Sequence, residues 1–475
     1  MQLAEITGNA VAYVEDLFRP TIRIGVTGLS RSGKTVFITA LIHNLTEGGW
    51  LPFFEPVASA RVESAFLTPP PPEVDLFDFG RYMRAFRAAP SEWPERTDTV
   101  SELRIALTYQ PVAGIRSFLG PRTVYLDIVD YPGEWLLDLP LLELNFAAWS
   151  RQAIALADSE PRRQLAQTWL EFLSSVDPEA PHDNDLAMTG AQLFRDYLIA
   201  CRSEAHALST LPPGRFLEPG ADAQKPMLNF MPLRLPDGAS APEGTLWSEM
   251  AKWYEAYKSE LVAPFFRDHF TRLDHQVVLV DTLRAINAGP AAVEDLERSL
   301  SNILACFRQG SNNVLSRVFA PRIEKILFAA TKADHLHSEG YDRLKAIMEA
   351  IVAKAMARAE HTGADVGVEA IAAVRATRQA NVSDGGRSYD CIAGVPMPGE
   401  TIDGRTYDGA TEAVVYPGEL PADPQVALTE RQDIRFVRFR PPATEENNAD
   451  GETSTTLPHI RLDHALQFLL ADRLK

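Results

Sequence analysis

The sequence predicts an α/β fold built on a mostly parallel sheet, with a helical insertion and a smaller β-rich insertion. Three observations carry that prediction. From residue 276 onward, strand-like runs (Gln276–Val280, Lys325–Ala330, Glu369–Val374) alternate with helical ones (Ala291–Phe307, Tyr341–Ala359). Parallel strands and their crossovers require that order. Near the start, the apolar run Thr21–Thr27 passes through a Gly/Ser turn into Lys34–Leu45, whose Val36, Phe37, Ala40, Leu41 and Leu45 suit a helix packed on a sheet. Finally, Asp130 and Thr331, each following a strand-like run, lie 201 positions apart. Two successive βαβ units need only roughly 60–80 residues, so the rest of that interval must be insertion.

Taken in order, residues 3–18 place Leu3, Ile6, Ala10, Val14 and Leu17 at helical spacing, with no lysine on the polar side. A membrane-surface helix would want lysines there, so packing against the body is expected. Residues 50–98 read as irregular and proline-rich, with a short helix near Phe79–Phe86. Leu103–Tyr109 and Val124–Val129, separated by Pro111, Gly114, Gly120 and Pro121, suggest an antiparallel hairpin-like pair. Helical periodicity fills Leu139–Leu208, broken near 158–161 and 177–185, and returns at Leu246–Asp268 after a Pro/Gly-rich stretch. Residues 380–440 carry many Gly and Pro and short β-like runs, 441–456 read as a polar, acidic, mobile linker, and His459–Leu474 as an amphipathic helix. The expected division is therefore 1–150 and 271–380 as two parts of one nucleotide-type domain, 151–270 as helical insertion, 381–456 as β-rich insertion with linker, and 457–475 as a returning helix.

Composition limits the function classes. Of 475 residues, 45% are hydrophobic and 23% charged, values of a globular chain. Lysine plus arginine number 46 against 64 acids, a net charge of −18 that repels polyphosphate backbones, so no nucleic-acid partner is expected. Cys201, Cys306 and Cys391 are far apart and form no CxxC pair, which argues against a disulfide framework or a zinc ribbon. The first residues lack the basic and apolar regions of a secretory signal, and no apolar run is long enough to span a membrane, so a cytoplasmic protein is expected.

The most specific signal is Gly28-Leu29-Ser30-Arg31-Ser32-Gly33-Lys34-Thr35, which fits G-x-x-x-x-G-K-[ST] between a strand and a helix. Glycines there allow a tight loop whose amides face phosphate oxygens, at a helix start that adds partial positive charge. Gly28, Ser30, Arg31, Ser32, Gly33, Lys34, Thr35 and Val36 are the phosphate-side candidates; Lys34 would neutralise the terminal phosphates, and the Thr35 hydroxyl would ligate Mg²⁺. The strand Leu126–Val129 then leads into Asp130-Tyr131-Pro132-Gly133, a D-x-x-G whose Asp130 could hold Mg²⁺ and whose Gly133 joins the ligand-binding set. Asp127 is expected to be structural. Thr331-Lys332-Ala333-Asp334 fits [NT]-K-x-D after a strand: the Asp334 carboxylate can accept two hydrogen bonds from guanine N1 and N2, and Lys332 can lay its stem on the ring. Adenine offers no such donor pair.

In this order the three motifs resemble the GTPase type of P-loop NTPase. More closely, Val26–Phe37, Asp130–Leu136, Thr331–Asp334 and Ala373–Thr377 are similar to the YcjX family of bacterial stress-associated GTP-binding proteins, along nearly the whole chain. The resemblance implies binding of GTP and GDP, hydrolysis with Mg²⁺, a cytoplasmic bacterial setting and a link to stress responses. Thr97, before the second strand, is expected as the switch threonine closing over Mg²⁺ and the γ-phosphate. Glu134 stands where many GTPases keep a glutamine; a carboxylate there can act as a base but repels the γ-phosphate, so slow turnover is expected. Arg31 is a candidate source of charge, although a solvated role is the plainer reading, and Ala376 is expected to contact the guanine oxygen. The histidines of Asp334-His335-Leu336-His337 read as a solvated loop rather than a metal pair. An unidentified protein partner, conceivably at a membrane surface, would read the nucleotide state. The alternatives are an ATP-dependent P-loop enzyme and a nucleotide-bound scaffold that never hydrolyses.

Overall fold

The computed structural model describes residues 20–29, 31–69, 75–95, 100–112, 120–217, 219, 224–236, 238, 240–305, 323–360, 364–443, 445–447, 453–455 and 457–475. The helix expected at 3–18 lies outside them.

Seven strands form the central sheet: β1 (Thr21–Gly28), β2 (Val62–Thr68), β3 (Ser101–Tyr109), β4 (Arg122–Asp130), β5 (His275–Val280), β6 (Lys325–Ala330) and β7 (Asp365–Ala370), in the order β2-β3-β4-β1-β5-β6-β7. From β4 to β7 every neighbouring pair is parallel; β2–β3 and β3–β4 are antiparallel. The fold is thus α/β with a mostly parallel sheet, and its first topological switch lies at β1, whose neighbours are β4 and β5. Ligands collect at the carboxyl ends of strands beside such a switch.

Side chains of the central strands alternate between two apolar layers. Val277 and Leu279 of β5 and Leu327 and Ala329 of β6 join Phe37, Leu41, Phe86, Leu466 and Leu469 on one face. Val278, Val280, Ile326 and Phe328 join Leu296, Leu300, Ile347 and Ile351 on the other. Burial on both faces explains why these strands read as continuous apolar runs. Each fully buried Leu, Ile or Phe contributes roughly 1.5–3 kcal/mol.

The antiparallel β3–β4 pair agrees with expectation, and its Arg104 grips Asp127 through two hydrogen bonds of 2.7 and 2.9 Å. β2 was not expected: residues 62–68 lie in a stretch read as irregular, and they form an edge strand exposed along most of its length. Two further expectations need correction. The strand expected at 369–374 lies at Asp365–Ala370, so Ile371–Val374 follow the sheet and bound a cavity instead. The single helix expected at 246–268 is interrupted by a π-helical turn, Lys258–Val262, between Leu246–Tyr257 and Ala263–Asp268.

Between β4 and β5 the chain runs through a buried 3₁₀ segment, Gly133–Glu143, then helices Phe146–Ala157, Gln167–Ser174 and Asn184–Cys201, and then Leu246–Tyr257. Trp149 stacks on Tyr254 at 4.9 Å and meets Phe230 edge-on, giving this helical region an aromatic centre continuous with the sheet's second apolar layer. After β7 comes a smaller β-rich region: β8 (Arg378–Asp384), β9 (Arg387–Gly394), β10 (Thr401–Ile402), β11 (Arg405–Thr406) and β12 (Ala413–Val415), where Ile392, Ile402, Ala413, Val415, Val437 and Phe439 form a small apolar cluster. Within the expected linker, Glu445–Asn447 pairs antiparallel with Thr453–Thr455. The last helix, Leu462–Leu470, returns to the first apolar layer.

Candidate functional site

The carboxyl end of β1 turns into the helix Lys34–Thr46 through a loop whose backbone is set by left-handed residues. Gly33, at φ 85°, caps the helix, and Arg31 sits at φ 63°. Glycine adopts that conformation without the penalty a side chain carries. Ser32 is buried, with its amide donating to the Leu29 carbonyl at 3.1 Å, and Thr35 is buried in the first helical turn. Ser30 lies outside the described residues. Lys34 turns its ammonium onto the Asp130 carboxylate at the end of β4, a pair almost wholly withdrawn from water. The loop and the D-x-x-G segment touch directly. A Cβ on Gly133 would come within 2.1 Å of the Gly28 carbonyl oxygen, so only glycine permits this approach.

Glu134 follows immediately and is also buried, with Arg202 Nη1 of the helical region 3.6 Å from its Oε1. Two residues further along the same connection, Glu204 meets Arg31. Arg31 therefore points from the phosphate loop towards the helical region. Asp138, deeper in the 3₁₀ segment, accepts hydrogen bonds from the amides of Gly214 (2.6 Å) and Arg215 (3.0 Å) and from the Tyr257 hydroxyl (2.6 Å). Burial pushes its carboxyl up to about 6 against those three donors. Thr97 lies outside the described residues.

On the other side of the cleft, Asp334 ends the run Thr331–Asp334 after β6. Thr331 donates its amide to the Val280 carbonyl at 2.9 Å, and Ala333 donates to the Ile371 carbonyl at 3.0 Å, so the turn is pinned to two strand ends. Asp334 is buried; its Oδ2 accepts the Ala376 amide at 3.0 Å, while its carbonyl takes the Thr377 hydroxyl at 2.5 Å. Lys332, in the left-handed region at φ 63°, reaches Asp281 after β5.

Both sides open into one cavity of about 360 Å³, lined by Ser32, Gly33, Val36 and Phe37, by Lys332, Asp334 and Ala376, and by Trp93, Met397 and Phe439. The cavity thus joins the phosphate loop to the Thr331–Asp334 turn, whereas the D-x-x-G residues Asp130 and Gly133 adjoin the loop through Lys34 and Gly28 without lining it, Glu134 lines a separate cavity, and Arg31 turns away to Glu204. Sequence reasoning missed the last three wall residues. Trp93 donates its indole N–H to the Phe439 carbonyl at 2.7 Å, and Ser91 donates to the Pro441 carbonyl at 2.7 Å. His335 is half-buried and packs against Phe436 and Phe439, and that burial lowers its pKa, which corrects the solvated loop expected for it. No cluster of three or more His, Cys, Asp or Glu side chains suited to a metal occurs among the described residues. No helix among the described residues is long and apolar enough to cross a membrane.

Comparison with known proteins shows which family the chain falls in. The profile of the YcjX-like family, DUF463, matches residues 22–474. The chain is 34% identical to the Ras-like GTPase YcjX of Escherichia coli strain K12 over 466 residues, covering 96% of each chain. It is 33% identical to the Ras-like GTPase YcjX of Shewanella oneidensis strain MR-1 over 499 aligned positions, covering 100% of this chain and 99% of that one. The chain belongs to the YcjX-like family.

Proposed function

We propose, from that membership and from the cavity, that this chain binds guanine nucleotides and hydrolyses GTP slowly with Mg²⁺, acting as a nucleotide-dependent switch in a bacterial stress response in the cytoplasm. The observation that supports the reading most is the single cavity that a phosphate loop enters at one end and Asp334 at the other. A nucleotide laid along it has its phosphates against Ser32 and Gly33 and its purine between Lys332, Asp334 and the Trp93–Phe439 wall. Asp334 then accepts from guanine N1 and N2, and an adenine in its place would offer that buried carboxylate no such donor pair.

Lys34 exchanges its contact with Asp130 for the β- and γ-phosphates. The Thr35 hydroxyl and the Asp130 carboxylate are hard oxygen donors of the kind Mg²⁺ takes, and one or two such groups together with phosphate oxygens suffice, without an all-protein cage. When bound, the ion neutralises charge developing on the phosphates. Glu134, beside the phosphate loop, orients water for attack while its charge opposes the γ-phosphate, hence a low intrinsic rate. Thr97 is the switch threonine of this reading, Ala376, whose amide turns from Asp334 towards the ligand, the contact to the guanine oxygen, and the helical region the part that reports nucleotide state to a protein partner. The stress setting comes from the resemblance to the family alone.

The decisive experiment identifies the nucleotide carried by the purified protein and compares displacement by GDP and ADP. Guanine nucleotide, displaced more strongly by GDP, is the expected result; stronger displacement by ADP rejects the guanine assignment. Phosphate release that stays at background under saturating GTP and Mg²⁺, with and without lipid or cell extract, rejects hydrolysis.

A further inference from the structure

The residues just after the helix Asn184–Cys201 bring two charges to the phosphate loop and its neighbour: Arg202 to Glu134 and Glu204 to Arg31. Arg202 caps that helix, its amide donating to the carbonyls of Leu198 and Ile199 at 3.2 and 3.1 Å. Its carbonyl accepts from Arg284 at 2.8 Å, so its backbone is held from two directions. From there the guanidinium comes to 3.6 Å from the Glu134 carboxylate, which is only 4% exposed, while Arg202 keeps 23% of its side chain exposed. A cavity of about 40 Å³ lies beside Glu134, Arg202, Leu29 and Arg284. Glu204 meets Arg31 in the loop itself. The backbone of Gly133, just before Glu134, packs directly on the Gly28 carbonyl, which keeps the Glu134 main chain beside the phosphate loop.

We propose that Arg202 is a positioning residue that neutralises and orients Glu134, and thereby sets how strongly the site favours a nucleoside triphosphate over the diphosphate. The inference rests on the guanine-nucleotide reading. A buried carboxylate next to a γ-phosphate repels it, and at short range in a partly desolvated site that repulsion is not screened away. The guanidinium cancels it. GDP, which lacks the γ-phosphate, is far less sensitive to the cancellation. Linkage makes the coupling reciprocal: a partner that shifts the helical region changes triphosphate preference, and a triphosphate biases the helical region by the same factor.

Equilibrium titration of the full chain with fluorescent GDP and with a non-hydrolysable fluorescent GTP analogue tests this. Arg202→Ala is expected to weaken the GTP analogue roughly tenfold while changing GDP less than about twofold, the range of a partly buried charge pair. Arg202→Lys restores part of the loss. Glu134→Gln in the Arg202→Ala background restores the triphosphate preference, because it removes the charge that Arg202 had balanced. Glu134→Gln alone needs no change at Arg202 and should raise or keep that preference. Equal weakening of both nucleotides in Arg202→Ala, no effect on either, or a fall in triphosphate preference in Glu134→Gln overturns the inference. A wild-type chain that binds neither guanine nucleotide instead rejects the functional reading, and the first titration reveals it before any variant is made.

Discussion

The two ends of the cleft are built in different ways. The end proposed for the phosphates comes from one sequence stretch, Gly28–Thr35, plus the D-x-x-G turn that glycine-to-backbone contact presses against it. The end proposed for the purine is assembled from five separated segments: Trp93, Lys332–Asp334, Ile371–Ala376, Met397 and Phe439. Charge and main-chain geometry dominate the first, and apolar walls with one carboxylate dominate the second. The difference teaches that a ligand's charged part can be held by local chain geometry, whereas an aromatic base needs surfaces that only tertiary folding supplies.

Substitutions at the two ends should therefore fail in different ways. Lys34→Ala should cost the most, roughly 100-fold or more in affinity for GDP and GTP alike, because it removes a charge-assisted contact to phosphate whatever the base. Calorimetric titration checks this; a base-dependent loss would erase the contrast. Asp334→Asn comes next. It should leave phosphate contacts alone and move preference from guanine to xanthine nucleotides by about 100-fold, since Asn presents a donor where guanine also donates. Competition between GDP and XDP reads it directly.

Trp93→Ala or Phe439→Ala should have a smaller effect, speeding GDP release about tenfold without altering the ratio of GTP to GDP affinity, as expected for one stacking surface. Stopped-flow chase experiments measure that rate. An altered ratio would mean that the purine wall also senses the γ-phosphate. Substituting Asp138 should leave nucleotide affinity unchanged and be read in stability instead. Burial raises its carboxyl to about 6 from an ordinary 3.8, so its protonated form contributes stability that is full below about pH 4 and lost as pH rises through about 6. Asp138→Asn has no such titration. Across pH 4 to 7 the stability difference should therefore move in the variant's favour by roughly 1–3 kcal/mol, read as paired Tm values. A difference that stays constant with pH would show that Asp138 does not titrate in this window.

How much was legible follows the same division. Gly28–Thr35, Asp130 and Asp334 stand out as candidates because spacing within a few residues encodes a backbone shape. The parallel strands β5 and β6 are readable because burial on both faces leaves a run of apolar residues. β2 was not, since an edge strand exposed on most positions has no need of that pattern. Trp93, Met397 and Phe439 carry no mutual spacing, being brought together only by folding. Asp138 did leave a trace: a carboxylate inside the apolar run from Trp135 to Leu142 requires buried donors, and Gly214, Arg215 and Tyr257 supply them. The donors themselves lie too far along the chain to be named from that trace.

The links from Trp93 to Phe439 and from Ser91 to Pro441 join residues 346 and 350 positions apart. On a ribosome the phosphate loop emerges early, yet the wall against which a base would stack waits for the last tenth of the polypeptide. Chains cut short by stalled translation would carry the loop without its roof. On the proposed reading, firm loading with nucleotide would require synthesis to have run almost to completion.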